Sequence, residues 1–226
     1  MRQLTDLAQP GQHAPTLVIL LPGAYNQPED FVRAGFVSAV RMRQLPIDIV
    51  MLELPFNQVA DDSILAEIHN SQVQPALTAC YQQIWLAGIS IGGYVAMAYA
   101  DHYPDQLSGM FLLAPYPSNR MTTDEIISAG GIHAWMPAPI AAEDTERRIW
   151  FWLKNHAGSM PIHLGYGLDD RFAPGGMMMA QALPHANLDS LPGGHDWPVW
   201  QKLWQNFLDR QFMDRQSVSH QLQAHG

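Results

Sequence analysis

At 226 residues, with 47% hydrophobic and 15% charged side chains, the chain has material for one sizeable core and is too apolar to remain disordered. A formal net charge of -9 without any Lys/Arg run argues against a surface built to neutralise phosphates, so neither nucleic acid nor an anionic membrane is expected as a partner. The lone Cys80 excludes a disulfide framework and a cysteine-based metal cluster, and it suits a reducing compartment.

The first fifteen residues lack an apolar signal core, and no stretch reaches the roughly 20 apolar residues of a membrane span. A cytoplasmic location is expected. "TLVILLPG" (16–23) is a continuous apolar run that stops at Pro-Gly, the pattern of a strand buried on both faces. Residues 28–44 follow with helical spacing of Phe31, Ala34, Gly35 and Val40 behind a Pro and two acids. A strand is expected over 47–55, a helix over 62–82 with a break between Asn70 and Pro75, a third strand over 83–90 and a helix over 91–104. Strands at 107–115, 160–167 and 186–193 come next, the last two followed by helices at about 175–183 and 196–212. Such repeated alternation implies an α/β fold with a mostly parallel central sheet and helices on both faces, here as one domain spanning 1–226.

Residues 116–159 are too many for one crossover helix. Gly130-Gly131, Pro137 and Pro139 split them into helices near 122–129 and 143–156, read as a short helical cap over the carboxyl edge of the sheet. The polar stretch 215–226 reads as a frayed tail.

Where the third strand meets its helix the sequence is "GISIGG", which places Ser90 between Gly88 and Gly92. The G-x-S-x-G spacing suits a sharp strand-to-helix turn that holds a serine hydroxyl out from the top of a sheet. Alone, the pentapeptide arises by chance in about one chain in fifteen of this length. Two further motifs follow later strands, "GLDDRFAP" (167–174) and "PGGHDW" (192–197). Together the three resemble the α/β-hydrolase superfamily, a likeness that covers nearly the whole chain.

The resemblance implies a catalytic order of Ser, acid, His, which falls here on Ser90, Asp170 and His195. An imidazole takes the serine proton during attack on an acyl carbon and returns it to the leaving group, while the carboxylate holds the ring tautomer. The tetrahedral oxyanion needs two backbone N–H donors. Ile91, at a helix start just after the nucleophile, is expected to supply one, and the loop after the strand at 16–23 the other, Ala24 by resemblance with Tyr25 as its alternative. The superfamily usually carries a histidine before that glycine, and Pro22 stands there instead. Asp169 reads as a loop carboxylate and Asp196 as a helix N-cap. The remaining histidines show no metal-ligand spacing, so no metal and no cofactor is expected. Trp135, Trp150 and Met177 are candidates for lining an acyl pocket, although aromatic and Met positions are more often core.

The expected activity is that of a carboxylesterase-like serine hydrolase, cleaving a small-molecule acyl ester through an acyl-enzyme. An acyl thioesterase is the alternative, since the triad does not distinguish an ester oxygen from a thiol leaving group. A degenerate hydrolase fold that acts as a binding protein is the alternative of another class.

Overall fold

The computed structural model describes residues 1–60, 62–183 and 187–213. Seven strands, β1 (Gln3–Asp6), β2 (Thr16–Leu21), β3 (Ile47–Leu52), β4 (Gln83–Ile89), β5 (Gly109–Leu113), β6 (Ile162–Gly167) and β7 (Asn187–Leu191), form one sheet in the order β1-β3-β2-β4-β5-β6-β7. All neighbours are parallel except β1, which pairs antiparallel with β3 from Gln3 opposite Leu52 to Asp6 opposite Ile49. The apolar runs explain the parallel strands: β2, β3 and β5 are buried along their whole length because helices cover both faces. β1 was not expected. Its sequence, QLTD, has no apolar run, as suits an edge strand of alternating exposure.

The helices depart from their expected bounds for local reasons. The segment at 28–44 divides into α1 (Pro28–Arg33) and α2 (Phe36–Met42), because Gly35 takes φ 80° and turns the chain between them. Asp30 caps the start of α1 by accepting from the Gln27 N–H (2.7 Å). A short α3 (Phe56–Ala60) precedes the segment expected as a helix over 62–82. That segment runs as α4 (Ser63–Ile68), a π-helical turn over His69–Val73 and α5 (Gln74–Thr78). The extra residue of the π turn absorbs the irregularity, and Pro75 sits in the first turn of α5, where an N–H is not required.

α6 (Ile91–His102), α7 (Arg120–Ser128), α8 (Thr145–His156), α9 (Ala173–Ala182) and α10 (Trp197–Leu208) complete the fold. One sheet face is covered by α1, α2 and α10, whose Phe31, Phe36, Trp204 and Phe207 pack with Trp85 and Phe111 of the sheet. The indole N–H of Trp204 reaches the Phe36 carbonyl (3.0 Å), so burying the ring leaves no polar atom unpaired. The other face carries α4, α6, α8 and α9. Residues 116–159 are continuous with this second layer: Ile126, Trp135, Ile149, Trp150 and Leu153 share one hydrophobic cluster with α6 and α9. The expected tail, 215–226, lies outside the described residues.

The order in which strands join the sheet reverses at β2, with β3 on one side of it and β4 on the other. Open α/β sheets bind ligands in the crevice beyond the carboxyl ends of the strands at such a point. The loops after β2, β4, β5, β6 and β7 all emerge there.

Candidate active site

β4 ends at Ile89 and α6 begins at Ile91, which leaves Ser90 alone to make the turn. It does so at φ 52° and ψ -115°, a conformation that costs on the order of 1–3 kcal/mol for a side-chain-bearing residue. Neighbouring bonds hold it there. The Ser90 N–H donates to the Leu113 carbonyl (3.0 Å), and the Ser90 carbonyl accepts from the N–H groups of Gly93 (3.0 Å), Tyr94 (3.2 Å) and Tyr116 (2.9 Å). The flanking glycines are dictated by space. A Cβ on Gly88 would overlap the backbone of Gly92 and Gly93, and one on Gly92 would overlap the Leu21 carbonyl of β2.

The Ile91 N–H stands at the amino end of α6, where helical dipoles leave partial positive charge. Among the described residues neither it nor the Ala24 N–H has an acceptor. Ala24 and Tyr25 lie in a turn after β2 closed by the Asn26 N–H on the Gly23 carbonyl (3.1 Å). Tyr25 takes φ 64° and is 91% exposed. The loop thus closes without the histidine that Pro22 replaces.

Asp170 and His195 come together from the loops after β6 and β7. The Nδ1 of His195 lies 2.7 Å from the Asp170 Oδ2, and Asp170 Oδ1 accepts from the Phe172 N–H (2.7 Å). The carboxylate is buried and fixed on both oxygens. With Nδ1 donating to it, a neutral ring presents its lone pair at Nε2, an atom without a hydrogen-bond partner among the described residues. Phe172 and Trp200 meet the imidazole edge to face, with ring centroids at 5.1 and 5.0 Å. Asp169 points elsewhere: its Oδ2 accepts from the Gly193 N–H (3.2 Å) and ties the acid loop to the histidine loop. Asp196 caps α10 through the Val199 N–H (3.2 Å), and Pro198 occupies the first turn.

The serine turn and the Asp170–His195 pair are linked through Tyr116. Its N–H holds the Ser90 carbonyl, and its ring meets Phe172 (5.6 Å), which in turn meets His195. Sequence reading did not single out Tyr116 or Phe172. The signal for Tyr116 was its position just past β5, and for Phe172 its place two residues after the acid.

Two clefts flank Tyr116. The larger, of about 1090 Å³, includes Met177, Met178, Ile127 and Phe172. The smaller, of about 360 Å³, includes Ile91, Tyr94 and several carboxylates. Of the three side chains expected in a pocket, Met177 is half exposed in the larger cleft. Trp135 and Trp150 line neither cleft. Both are buried in the core, where Trp135 Nε1–H donates to Glu125 (2.8 Å) and Trp150 Nε1–H donates to the Pro117 carbonyl (2.9 Å). Among the described residues no cluster of three or more His, Cys, Asp or Glu side chains could hold a metal, and no helix is long and apolar enough to cross a membrane.

A mostly parallel sheet with this strand-serine-helix turn defines the α/β-hydrolase class. The chain belongs to the Esterase family, described as "Putative esterase", whose model matches residues 69–209, and it is a carboxylic ester hydrolase. No curated protein matches it. Among solved structures it is similar to Est1E from Butyrivibrio proteoclasticus, with 14% identity over 93% of this chain and 94% of that one and a TM-score of 0.68. A ferulic acid esterase gives 15% identity, 92% and 96% coverage and a TM-score of 0.61. An S-formylglutathione hydrolase (FrmB) from Staphylococcus aureus gives 13%, 86% and 80%, and 0.59. At these identities the likeness is one of fold.

Proposed function

We propose that the chain cleaves small-molecule carboxylic esters through a covalent acyl-enzyme, with Ser90 as nucleophile, His195 as general base and acid, and Asp170 as the carboxylate that orients the ring. The observation that supports this reading is the 2.7 Å pair between His195 Nδ1 and the buried Asp170, which leaves Nε2, unbonded among the described residues, available to accept a proton. Nε2 takes the Ser90 proton as Oγ attacks the acyl carbon, and the imidazolium formed is stabilised by Asp170. The oxyanion is received by the N–H groups of Ile91 and Ala24, with Tyr25 as the alternative to Ala24. Collapse expels the alcohol with the proton from Nε2. Water then repeats the cycle on the acyl-enzyme and releases the acid. Neither a metal nor a cofactor enters these steps. The segment 116–159 supplies one wall of both clefts through Tyr116 and Asn119. In this reading it acts as the cap that selects the substrate.

Fluorophosphonate labelling followed by peptide mapping tests the assignment. Modification is expected at Ser90 and is abolished in Ser90→Ala; labelling that persists in that variant moves the nucleophile elsewhere. A matched ester and thioester series, run on the same preparation, decides the leaving-group class.

A further inference from the structure

The smaller cleft carries an unbalanced charge beside the proposed nucleophile. It is bounded by Ile91, the residue after Ser90, by Tyr94 one turn along α6, by Tyr116, and by the carboxylates of Asp62, Glu143, Asp144 and Glu146. Asp144 is neutralised by Arg147 (2.6 Å). The other three have no Lys, Arg or His within ion-pair distance among the described residues. Asp62 accepts from the Thr145 hydroxyl, and Glu146 from the Asn119 N–H (3.0 Å) and the Thr122 hydroxyl (3.3 Å); these bonds fix the carboxylates without cancelling their charge.

An independent feature points at an occupant. Tyr94 is 8% exposed, lines the cleft, and its hydroxyl has no hydrogen-bond partner among the described residues. Its ring is packed into the core, while a hydroxyl without such a partner at the cleft wall is open to a bond with an occupant. Burial, then the charges of Glu146 and Asp62, hold this phenol well above its ordinary range, so it stays a neutral donor and acceptor and feels the carboxylates directly. The rings of Tyr94 and Tyr116 stand 5.8 Å apart and inclined at 57°, two faces of a partial aromatic corner. Uncompensated anions beside aromatic faces are the chemistry that recognises an organic ammonium ion.

We propose that this cleft binds an ammonium group of the ester substrate, placing a cationic centre a few bonds from the scissile carbonyl. The proposal rests on the serine-hydrolase reading above and narrows it to a substrate class. The net charge of -9 favours the same class, since it draws cations toward the molecule over long range.

The test uses two isosteric pairs, each rate normalised to the ester's reactivity with hydroxide. Choline butyrate against neohexyl butyrate puts the charge on the alcohol. The nitrophenyl ester of trimethylglycine against that of tert-butylacetic acid puts it on the acyl group. In at least one pair the cationic member is expected to lead in kcat/KM by about tenfold or more, and that pair identifies which half of the substrate enters the cleft. High salt should shrink the lead. Glu143→Gln, which removes an exposed carboxylate without a partner among the described residues and so spares the fold, should shrink it too. The double variant Glu143→Gln/Glu146→Gln should bring it within about threefold of parity. Equal or faster turnover of the neutral member in both pairs overturns the ammonium site and leaves the hydrolase intact. Fluorophosphonate labelling of Ser90 without cleavage of any of the four esters, and without protection by tetramethylammonium, does the same. Failure of Ser90 to label overturns the hydrolase reading and this inference with it.

Discussion

Ser90 is held at φ 52° by four backbone hydrogen bonds, and none of them involves its side chain. Replacing it with alanine therefore removes the hydroxyl without touching what fixes the turn. On the proposed mechanism, Ser90→Ala and His195→Ala should each reduce ester hydrolysis to background while far-UV dichroism and the melting transition stay near the parent, because members of one proton-transfer unit fail together. Substantial residual turnover in either would sink the triad. The adjacent aspartates give a sharper comparison. Asp170→Asn loses the charge that pairs with Nδ1, which costs on the order of 10⁴ in kcat in a serine-protease triad. Asp169→Asn keeps a carbonyl oxygen for the Gly193 N–H and should stay within about tenfold of the parent. A reversed ranking would make Asp169 the acid. At this scale the spacing of "GLDDRFAP" and "PGGHDW" was enough to choose the pair that the fold brings together. Tyr94 and Tyr116 were not legible, because their interest lies in what surrounds them across the chain: residues near 62, 116 and 146 meet only once the fold is formed.

Between elements, the tightest fit is the crossing of α6 over β2 and β4. Gly88→Ala or Gly92→Ala must displace backbone rather than a flexible side-chain end, so each is expected to lose several kcal/mol and leave little folded protein on denaturant titration. A variant with an unchanged urea midpoint would show that the turn can open without cost. The segment 116–159 yields a second comparison. Trp150→Ala empties a fully buried site and strips the Pro117 carbonyl of its donor, a loss of about 3–5 kcal/mol read mainly in stability. Met177→Ala removes a side chain half exposed in the larger cleft and should alter the relative rates for short and medium acyl esters with little change in melting temperature. Unchanged acyl selectivity in Met177→Ala would remove this cleft from substrate binding. The buried strands were legible because an apolar run covered on both faces writes itself continuously into the sequence. Helix interruptions were less so, since Gly35 reads equally well as a small residue on a packed face and as the left-handed joint that it is. β1 escaped because four alternating residues carry almost no periodic signal.

Over the whole molecule, arginine-carboxylate pairs tie helices to their neighbours, two of the three pairs below across long stretches of sequence. Arg43 on the loop after α2 holds Asp209 beyond α10, and Arg147 of α8 holds both Glu125 of α7 and Asp144. In each case the carboxyl group lies below its ordinary range: the Arg43 hydrogen bond depresses Asp209, those of Arg147 and Trp135 depress Glu125, and for Asp144 the Arg147 contacts outweigh an opposing desolvation. A carboxyl group depressed on folding contributes stability that is fully present above its unfolded value, about 4. That stability is lost as pH falls through the lower folded value, because the unfolded chain then binds more protons. These pairs are partly exposed, so solvent screening limits each to under about 1 kcal/mol, and their effect shows in the slope of stability against pH. The urea midpoint of the parent should therefore change little between pH 7 and 5 and drop steeply below about pH 4. The double variant Glu125→Gln/Asp209→Asn, already lacking two of the titrating groups, should start lower at pH 7 and converge on the parent in acid. Parallel curves down to pH 3 would mean that these pairs are equally favourable in the unfolded chain, and that the acid limb belongs to other groups.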